Sequence, residues 1–185
     1  PVAGEVFKEG TYEIESERRG YALELAVDFV RMEYTRHRFW EKDDTPVVPL
    51  KSQTLEDVIE TWPQGKINVR IGDYMFRPHQ KWTITAVPDG GGYLGGPYYK
   101  IVIEGTNRAL AATADAEVVT VPEFTGAPEQ LWRIDQLTDG TYRIMPKEVP
   151  GTDKELVLAS VGDSTPSLGE FDMNSDNSKW NFRDH

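Results

Sequence analysis

Short apolar segments recur along this chain in groups of four, separated by residues typical of turns. The segments of the two most regular groups lie at residues 97–101, 108–111, 117–121 and 130–134, and at residues 140–144, 156–159, 166–168 and 178–182. Glycine, proline, asparagine, aspartate and threonine fill the stretches between them. Short apolar runs bounded by such residues predict β-strands, and long segments with helical periodicity are almost absent. The pattern therefore predicts an all-β protein.

A tryptophan with an apolar residue two places later closes a group three times along the chain. These tryptophans are Trp82, Trp132 and Trp180, which lie 50 and 48 residues apart, and the aromatic residues of the matching opening segments are Tyr12, Tyr99 and Tyr142. Self-similarity at a period of this size predicts three like structural units. All six aromatic residues are expected in the core, where truncating one would cost about 3–5 kcal/mol.

The first group has the same order of segments but is longer than the other two. Its second strand is predicted at residues 21–25 and its third at residues 46–50. Measured against the other groups, the extra residues fall near 27–44 and near 51–77. The spacing thus predicts two insertions in the first repeat.

Three segments of the first group allow more specific predictions. Thr54 is a candidate helix cap with acidic residues in the turn after it, which predicts one or two helical turns. Residues 67–71 alternate between apolar and polar and predict an extra strand. Residues 22–34 allow either a strand or a helix at their start, and the match to the other repeats favours a strand. The glycine-rich residues 87–97 predict a flexible joint.

Twelve short strands in three four-strand units, each closed by a buried tryptophan, describe a β-trefoil. In that fold the first and fourth strands of each unit form a six-stranded barrel, and the remaining hairpins cap it. The predicted organisation is one domain over residues 1–185, with repeats at about 8–87, 97–137 and 140–185. A single repeat cannot bury its own apolar face, which favours one domain over several.

The composition and motifs of the chain argue against several classes of function. A formal net charge of −11 argues against nucleic-acid binding, and no apolar run approaches the roughly 20 residues that span a bilayer. The chain has no cysteine, and its three histidines are not spaced for a metal site. No phosphate loop or nucleophile elbow occurs, so we expect neither an enzyme nor a cofactor. The first residues do not resemble a signal peptide, so the expected location is cytoplasmic, while secretion of a processed chain stays open.

Two of the closing segments, Gln80-Lys81-Trp82 and Gln130-Leu131-Trp132, resemble the signature of the ricin-B lectins, whose fold is a β-trefoil. The sugar site of those lectins usually includes an aspartate on the second strand of a repeat and an asparagine shortly before the Gln-x-Trp. No aspartate occurs in the corresponding residues 21–23, 108–112 and 156–160, although Asn177 precedes the third closing segment. The resemblance implies glycan binding as the alternative function.

The Gly-Thr-Tyr-x-Ile openings at Tyr12 and Tyr142, the Trp-x-Ile endings and the lack of cysteine resemble mushroom β-trefoil protease inhibitors. These are the cospin-type serine protease inhibitors and, more distantly, the mycocypins. The resemblance implies an inhibitory loop, which in the cospin type lies between the second and third strands of the first repeat. This chain is extended at that place. The favoured function is therefore inhibition of a protease, preferably a serine protease, by a loop that occupies its active-site cleft.

The candidate loop, residues 28–42, has three arginines and four aromatic residues in an otherwise acidic chain. Its candidate reactive residues are Arg31, Arg36, His37 and Arg38. Arg36 or Arg38 could enter the acidic pocket of a trypsin-like enzyme. The alternative is that the aromatic residues pack this loop onto the barrel.

Other loops suit other protease classes. Insertion into a papain-like cleft would use residues 4–6, 15–20 or 62–65, and a legumain-directed inhibitor would use Asn107. A structural or storage protein without a defined ligand is the third functional class left open.

Overall fold

The structure is a computed structural model that describes residues 7–27, 54–93, 96–162 and 164–184. The chain divides into two compact units, one formed by Pro1–Val27 with Pro63–His185 and the other by Asp28–Trp62. The strands of the larger unit are β1 Gly10–Ser16, β2 Ala22–Leu25, β3 Ile67–Gly72, β4 Trp82–Tyr93, β5 Gly96–Ile103, β6 Ala109–Ala112, β7 Val118–Val121, β8 Trp132–Gln136, β9 Tyr142–Pro146, β10 Val157–Val161, β11 Thr165–Gly169 and β12 Trp180–Asp184. Short 3-10 helices at Pro78–Gln80, Pro128–Gln130 and Asp176–Ser178 precede β4, β8 and β12.

The first and last strands of each repeat form a closed ring in the larger unit. They neighbour one another in the order β12-β9-β8-β5-β4-β1, and antiparallel pairing of β12 with β1 closes the ring. The second and third strands form the hairpins β2–β3, β6–β7 and β10–β11. Three repeats of one barrel pair and one hairpin make a β-trefoil, so the predicted fold class is confirmed.

One hydrogen bond repeats in all three units and connects each hairpin to the barrel. The indole nitrogens of Trp82, Trp132 and Trp180 donate to the carbonyl oxygens of Leu23, Leu110 and Leu158, each over 2.9 Å. The three tryptophan side chains are fully buried. A buried indole N–H needs an acceptor, and the second strand of its own repeat provides one.

An aromatic cluster fills the end of the barrel at which the opening strands begin. The ring of Phe7, just before β1, lies with its centroid 4.7–5.7 Å from those of Tyr12, Tyr99, Tyr142 and Phe182. The hydroxyl of Tyr99 also donates to the Phe7 carbonyl oxygen over 2.9 Å. Tyr12 and Tyr99 are buried, whereas Tyr142 is half-buried. Phe7 thus joins the opening tyrosines of all three repeats.

The third strand of the first repeat is β3, Ile67–Gly72, and not the segment 46–50 that the apolar pattern selects. β3 pairs with β2 through Leu23↔Ile71, as β7 pairs with β6 and β11 with β10. Residues 46–50 lie outside the described residues. The extra length of the repeat therefore lies in one stretch between β2 and β3, whereas the spacing predicts two separate insertions. An apolar run shows that a segment can be a strand, but only hydrogen-bond pairing identifies its partner.

The smaller unit contains the predicted short helix, α1, Leu55–Glu60. Thr54 Oγ1 accepts a hydrogen bond from the Asp57 backbone N–H over 3.1 Å, and the Thr54 backbone N–H donates to Asp57 Oδ2 over 3.0 Å. These reciprocal bonds form a capping box, which satisfies two of the free N–H groups at the start of the helix.

The glycine-rich segment between the first two repeats belongs to a β-hairpin, whereas its composition predicts a flexible joint. β4 and β5 remain paired through Gly92↔Pro97 and Tyr93↔Gly96, after a register shift that follows Val87. Glycine permits the irregular backbone of this shift. The described residues of this segment therefore belong to the paired strands β4 and β5.

Candidate functional site

A buried carboxylate occupies the middle of β2 in the first repeat. Glu24 is 5% exposed, and its Oε2 accepts a hydrogen bond from Arg70 Nε over 2.7 Å. Its Oε1 accepts from Gln80 Nε2 over 2.9 Å, and His79 Nε2 lies 3.4 Å from Oε2. Burial alone would raise the pKa of Glu24, but hydrogen bonds from His79, Arg70 and Gln80 outweigh it and keep that pKa below its ordinary value. Glu24 is thus held as a carboxylate.

Gln80 connects this carboxylate to an exposed loop. Its Oε1 accepts from the backbone N–H of Met75 over 2.8 Å and from that of Arg77 over 3.3 Å, on either side of Phe76. Phe76 is 69% exposed and has φ of 57°, a conformation that is rare for a residue with a side chain. Such a conformation persists only where its surroundings enforce it. The glutamine of the Gln-x-Trp signature therefore holds an aromatic ring out towards solvent.

Arg70 lies at the edge of the same site. Besides its bond to Glu24, its Nη2 donates to the Val27 carbonyl oxygen over 2.8 Å, and its side chain is 38% exposed. Nη1 forms no hydrogen bond with the residues that the structure describes. Gly72 makes the packing possible, because a Cβ at this position would lie 2.8 Å from Glu24 Oε1. The guanidinium is therefore held by Glu24 and Val27, while its side chain stays partly exposed.

The other two repeats lack the acidic member of this arrangement. Ala111 and Ala159 take the place of Glu24, directly after the leucine that accepts the indole hydrogen bond. In the second repeat, Gln130 Oε1 still accepts from the Thr125 backbone N–H over 2.8 Å, and in the third a serine, Ser178, replaces the glutamine. Among the described residues, the full set of carboxylate, glutamine and exposed aromatic ring occurs in the first repeat.

Sequence patterns missed Glu24 as a site residue for two reasons. The lectin signature requires an aspartate, and the residues that correspond to its position in the first repeat, 21–23, end one position before Glu24. An acidic residue between two leucines on the second strand is a signal that sequence alone could have supplied. Arg70 and Phe76 are not recognised as site residues from the sequence, because the spacing of the repeats predicts an insertion near residues 51–77.

The other sequence-based candidates that the structure describes form contacts outside this site. Arg31, Arg36, His37 and Arg38 lie outside the described residues, so the reactive loop stays a prediction. Asn107 Nδ2 donates to Glu123 Oε2 over 2.7 Å in a different repeat. In the loop at residues 15–20, Arg18 Nη1 donates to the Ser160 carbonyl oxygen over 3.2 Å.

Neither a cluster of metal ligands nor a membrane-spanning helix is found among the described residues. In the parts of the chain that the structure describes, no group of three histidine, aspartate or glutamate side chains could hold a metal ion. Across those same residues, none of the helices has both the length and the apolar character required to cross a membrane.

Known proteins resemble the chain in fold. Residues 78–160 match the model of a family described as ricin-type β-trefoil lectin domain-like. One similar solved structure is a mosquitocidal holotoxin, with a TM-score of 0.64 and 14% identity, where the match covers 97% of this chain and 18% of the toxin. Another is the designed three-fold symmetric protein ThreeFoil, with a TM-score of 0.62 and 19% identity, where the match covers 95% of this chain and 99% of ThreeFoil. A Polyporus squamosus lectin bound to the epitope Neu5Aca2-6Galb1-4GlcNAc is also similar, with a TM-score of 0.62 and 15% identity. The match covers 97% of this chain and 50% of the lectin chain. No curated protein matches the chain in sequence.

These similarities support the β-trefoil fold, and residues 78–160 are similar to the ricin-type lectin family. The chain spans about a fifth of the holotoxin and half of the Polyporus squamosus lectin. They give no support to the protease-inhibitor hypothesis, and they agree better with the alternative that the Gln-x-Trp segments suggested.

Proposed function

We propose that this chain binds carbohydrate through the first repeat, at a site formed by Glu24, Arg70, Phe76 and Gln80. The observation that carries the proposal is the Gln80 side chain, which bonds the buried Glu24 carboxylate and both backbone neighbours of Phe76. The match of residues 78–160 to the ricin-type lectin family supports it, because that match includes Gln80 and Trp82. The proposed activity is binding without catalysis or cofactor.

The exposed groups of the site have the chemistry that a sugar needs. Phe76 presents a flat apolar ring, on which the C–H face of a pyranose can stack. The partly exposed Arg70 side chain can donate to hydroxyl or ring oxygens, since arginine carries five N–H donors in a planar group. An aromatic surface with a few fixed polar groups is a common composition for a small-ligand site.

Glu24 acts chiefly as a positioning residue in this proposal. The second-strand aspartate of the ricin-B lectins accepts hydrogen bonds from sugar hydroxyls, whereas the Glu24 side chain is only 7% exposed. It orients Arg70 and Gln80, which carry the exposed parts of the site. Removing its charge would therefore loosen both the arginine and the loop around Phe76.

A glycan array with the purified protein tests the proposal, followed by calorimetric titration of the best ligand. We expect Phe76→Ala to weaken binding about tenfold, which corresponds to about 1.4 kcal/mol. Phe124→Ala is the control, because it makes the same chemical change before the 3-10 helix of the second repeat, at the position that corresponds to Tyr74 and not to Phe76. No binding to any glycan at micromolar concentration, or equal weakening by both variants, would contradict the proposal. Inhibition of trypsin by the same preparation, without glycan binding, would restore the inhibitor hypothesis.

A further inference from the structure

Two segments in which the chain departs from its threefold repeat contact each other. The loop between β9 and β10 covers residues 147–156, twice the length of the corresponding loops at 17–21 and 104–108. The second departure is the extended hairpin of β4 and β5. Lys147 joins them, because its Nζ donates to the Gly90 carbonyl oxygen over 2.8 Å.

A cavity of about 800 Å³ lies beside this junction. Met145, Pro146 and Val149, all buried, are among its lining residues, together with the side chains of Tyr98 and Arg133. The loop from Lys147 to Glu155 supplies most of the remaining lining. The volume is within the range of small-ligand sites and leaves space for more than one sugar ring. The cavity shares no residue with the site around Glu24.

Two basic side chains of the cavity lining are ordered before any ligand binds. Lys147 Nζ lies 5.2 Å from the centre of the Tyr98 ring, in addition to its bond to Gly90. Arg133 Nε donates to Asp135 Oδ2 over 2.8 Å, and the Arg133 side chain is only 13% exposed. Side chains that are already fixed lose little conformational entropy on binding.

The charges around the cavity balance. Its basic side chains are Arg133, Lys147 and Lys154, and its acidic side chains are Glu148, Asp153 and Glu155. A balanced lining gives no preference for an anion or a cation, yet it offers hydrogen-bond donors and acceptors close together. Sugar hydroxyls both donate and accept, whereas a peptide would need apolar pockets for its side chains. The exposed part of this lining is mostly polar, since three of its four aliphatic residues and prolines are buried.

We propose that this cavity is a second binding site of the chain and that its ligand is a neutral oligosaccharide. Asp153 and Glu155 of the loop at 147–156 supply the acceptors, and Arg133 and Lys147 supply donors. The site functions independently of Glu24 and Phe76. A chain with both sites can contact one branched glycan at two points, or two glycans at once.

Backbone NMR spectra of the Phe76→Ala protein, in which the first site is weakened, test this second site through the signals of the cavity residues themselves. The probes are maltotriose, cellotriose and N,N′,N″-triacetylchitotriose, each titrated separately. We expect at least one of them to shift the amide signals of Tyr98, Gly151 and Thr152 in a saturable way. Adding Asp153→Ala and Glu155→Ala should weaken that binding at least about tenfold, because two charged acceptors are lost.

The matched control carries Asp115→Ala and Glu117→Ala, which also removes two exposed acids separated by one residue. Binding in this control should equal that of the Phe76→Ala parent. If none of the three sugars shifts the cavity signals, or if the two double variants bind equally well, the second site does not exist as proposed. Either result leaves the glycan-array test of the Glu24 site unaffected, so failure of one proposal can be distinguished from failure of the other.

Discussion

Replacing Phe7 with alanine should destabilise the protein more than its position before the first strand suggests. Phe7 is 9% exposed, and its ring contacts aromatic residues from the opening strands of all three repeats and from β12. Three of these neighbours are Tyr12, Tyr99 and Tyr142, so the loss of one ring opens a cavity next to each repeat at once.

The magnitude follows from the burial and from the place of Phe7 in the chain. A buried Phe→Ala change costs about 3–5 kcal/mol through lost transfer free energy and the cavity left behind. Because Phe7 precedes β1, the backbone before the strand can shift to fill part of that cavity. We therefore expect the lower end, about 3 kcal/mol. A protein of this size loses about 2–4 °C in Tm per kcal/mol, which gives a decrease of about 6–12 °C.

Thermal unfolding followed by circular dichroism, with urea denaturation as a second measurement, checks this value. Phe76→Ala is the control, since it makes the same chemical change at a side chain that is 69% exposed. It should change the free energy of unfolding by no more than about 0.5 kcal/mol. If Phe7→Ala unfolds within about 2 °C of the unmodified protein, the aromatic cluster does not stabilise the barrel as argued.

Three further changes test other parts of the structure. Trp132→Phe removes the hydrogen bond to the Leu110 carbonyl oxygen and should lower the free energy of unfolding in urea by about 1–3 kcal/mol; an unchanged urea midpoint would contradict the role of this bond. Burial raises the pKa of Glu13 from 4.5 to about 7, so the folded state binds this proton more tightly and its contribution to stability is lost as pH rises through that range. Glu13→Gln should therefore stabilise the protein more at pH 8 than at pH 5 in urea titrations, and an equal gain at both pH values would refute the assignment. Gly72→Ala places a methyl group 2.8 Å from Glu24 Oε1 and should abolish glycan binding in calorimetry while the far-ultraviolet spectrum stays native; undiminished binding would separate Glu24 from the site.

Much of the fold could be predicted because one packing solution is used three times. Each repeat buries a tryptophan against its own second strand, so the same residues recur at nearly the same spacing. The capped helix after Thr54 was predictable for a related reason, since a capping box depends on residues only three apart. Local and repeated interactions leave a pattern in the sequence.

The site was less predictable because its members are far apart in the chain. Glu24 and Gln80 are separated by 56 positions, and the segment that holds Phe76 was assigned to an insertion. The Gln-x-Trp signature includes Gln80. It could not show that one side chain bonds both the carboxylate on β2 and the loop around Phe76.

The class of fold, the number of repeats and most of the aromatic core could be predicted from the amino-acid pattern alone, because the spacing of apolar residues reflects which side of each strand faces the interior. The folded chain alone shows that β3 pairs with β2, that Phe7 contacts the three opening tyrosines and that Glu24 accepts hydrogen bonds from Arg70 and Gln80. The physical reason is that strand pairing and side-chain networks depend on contacts between distant segments. Many partners are compatible with each local pattern, and packing of the whole chain selects one of them.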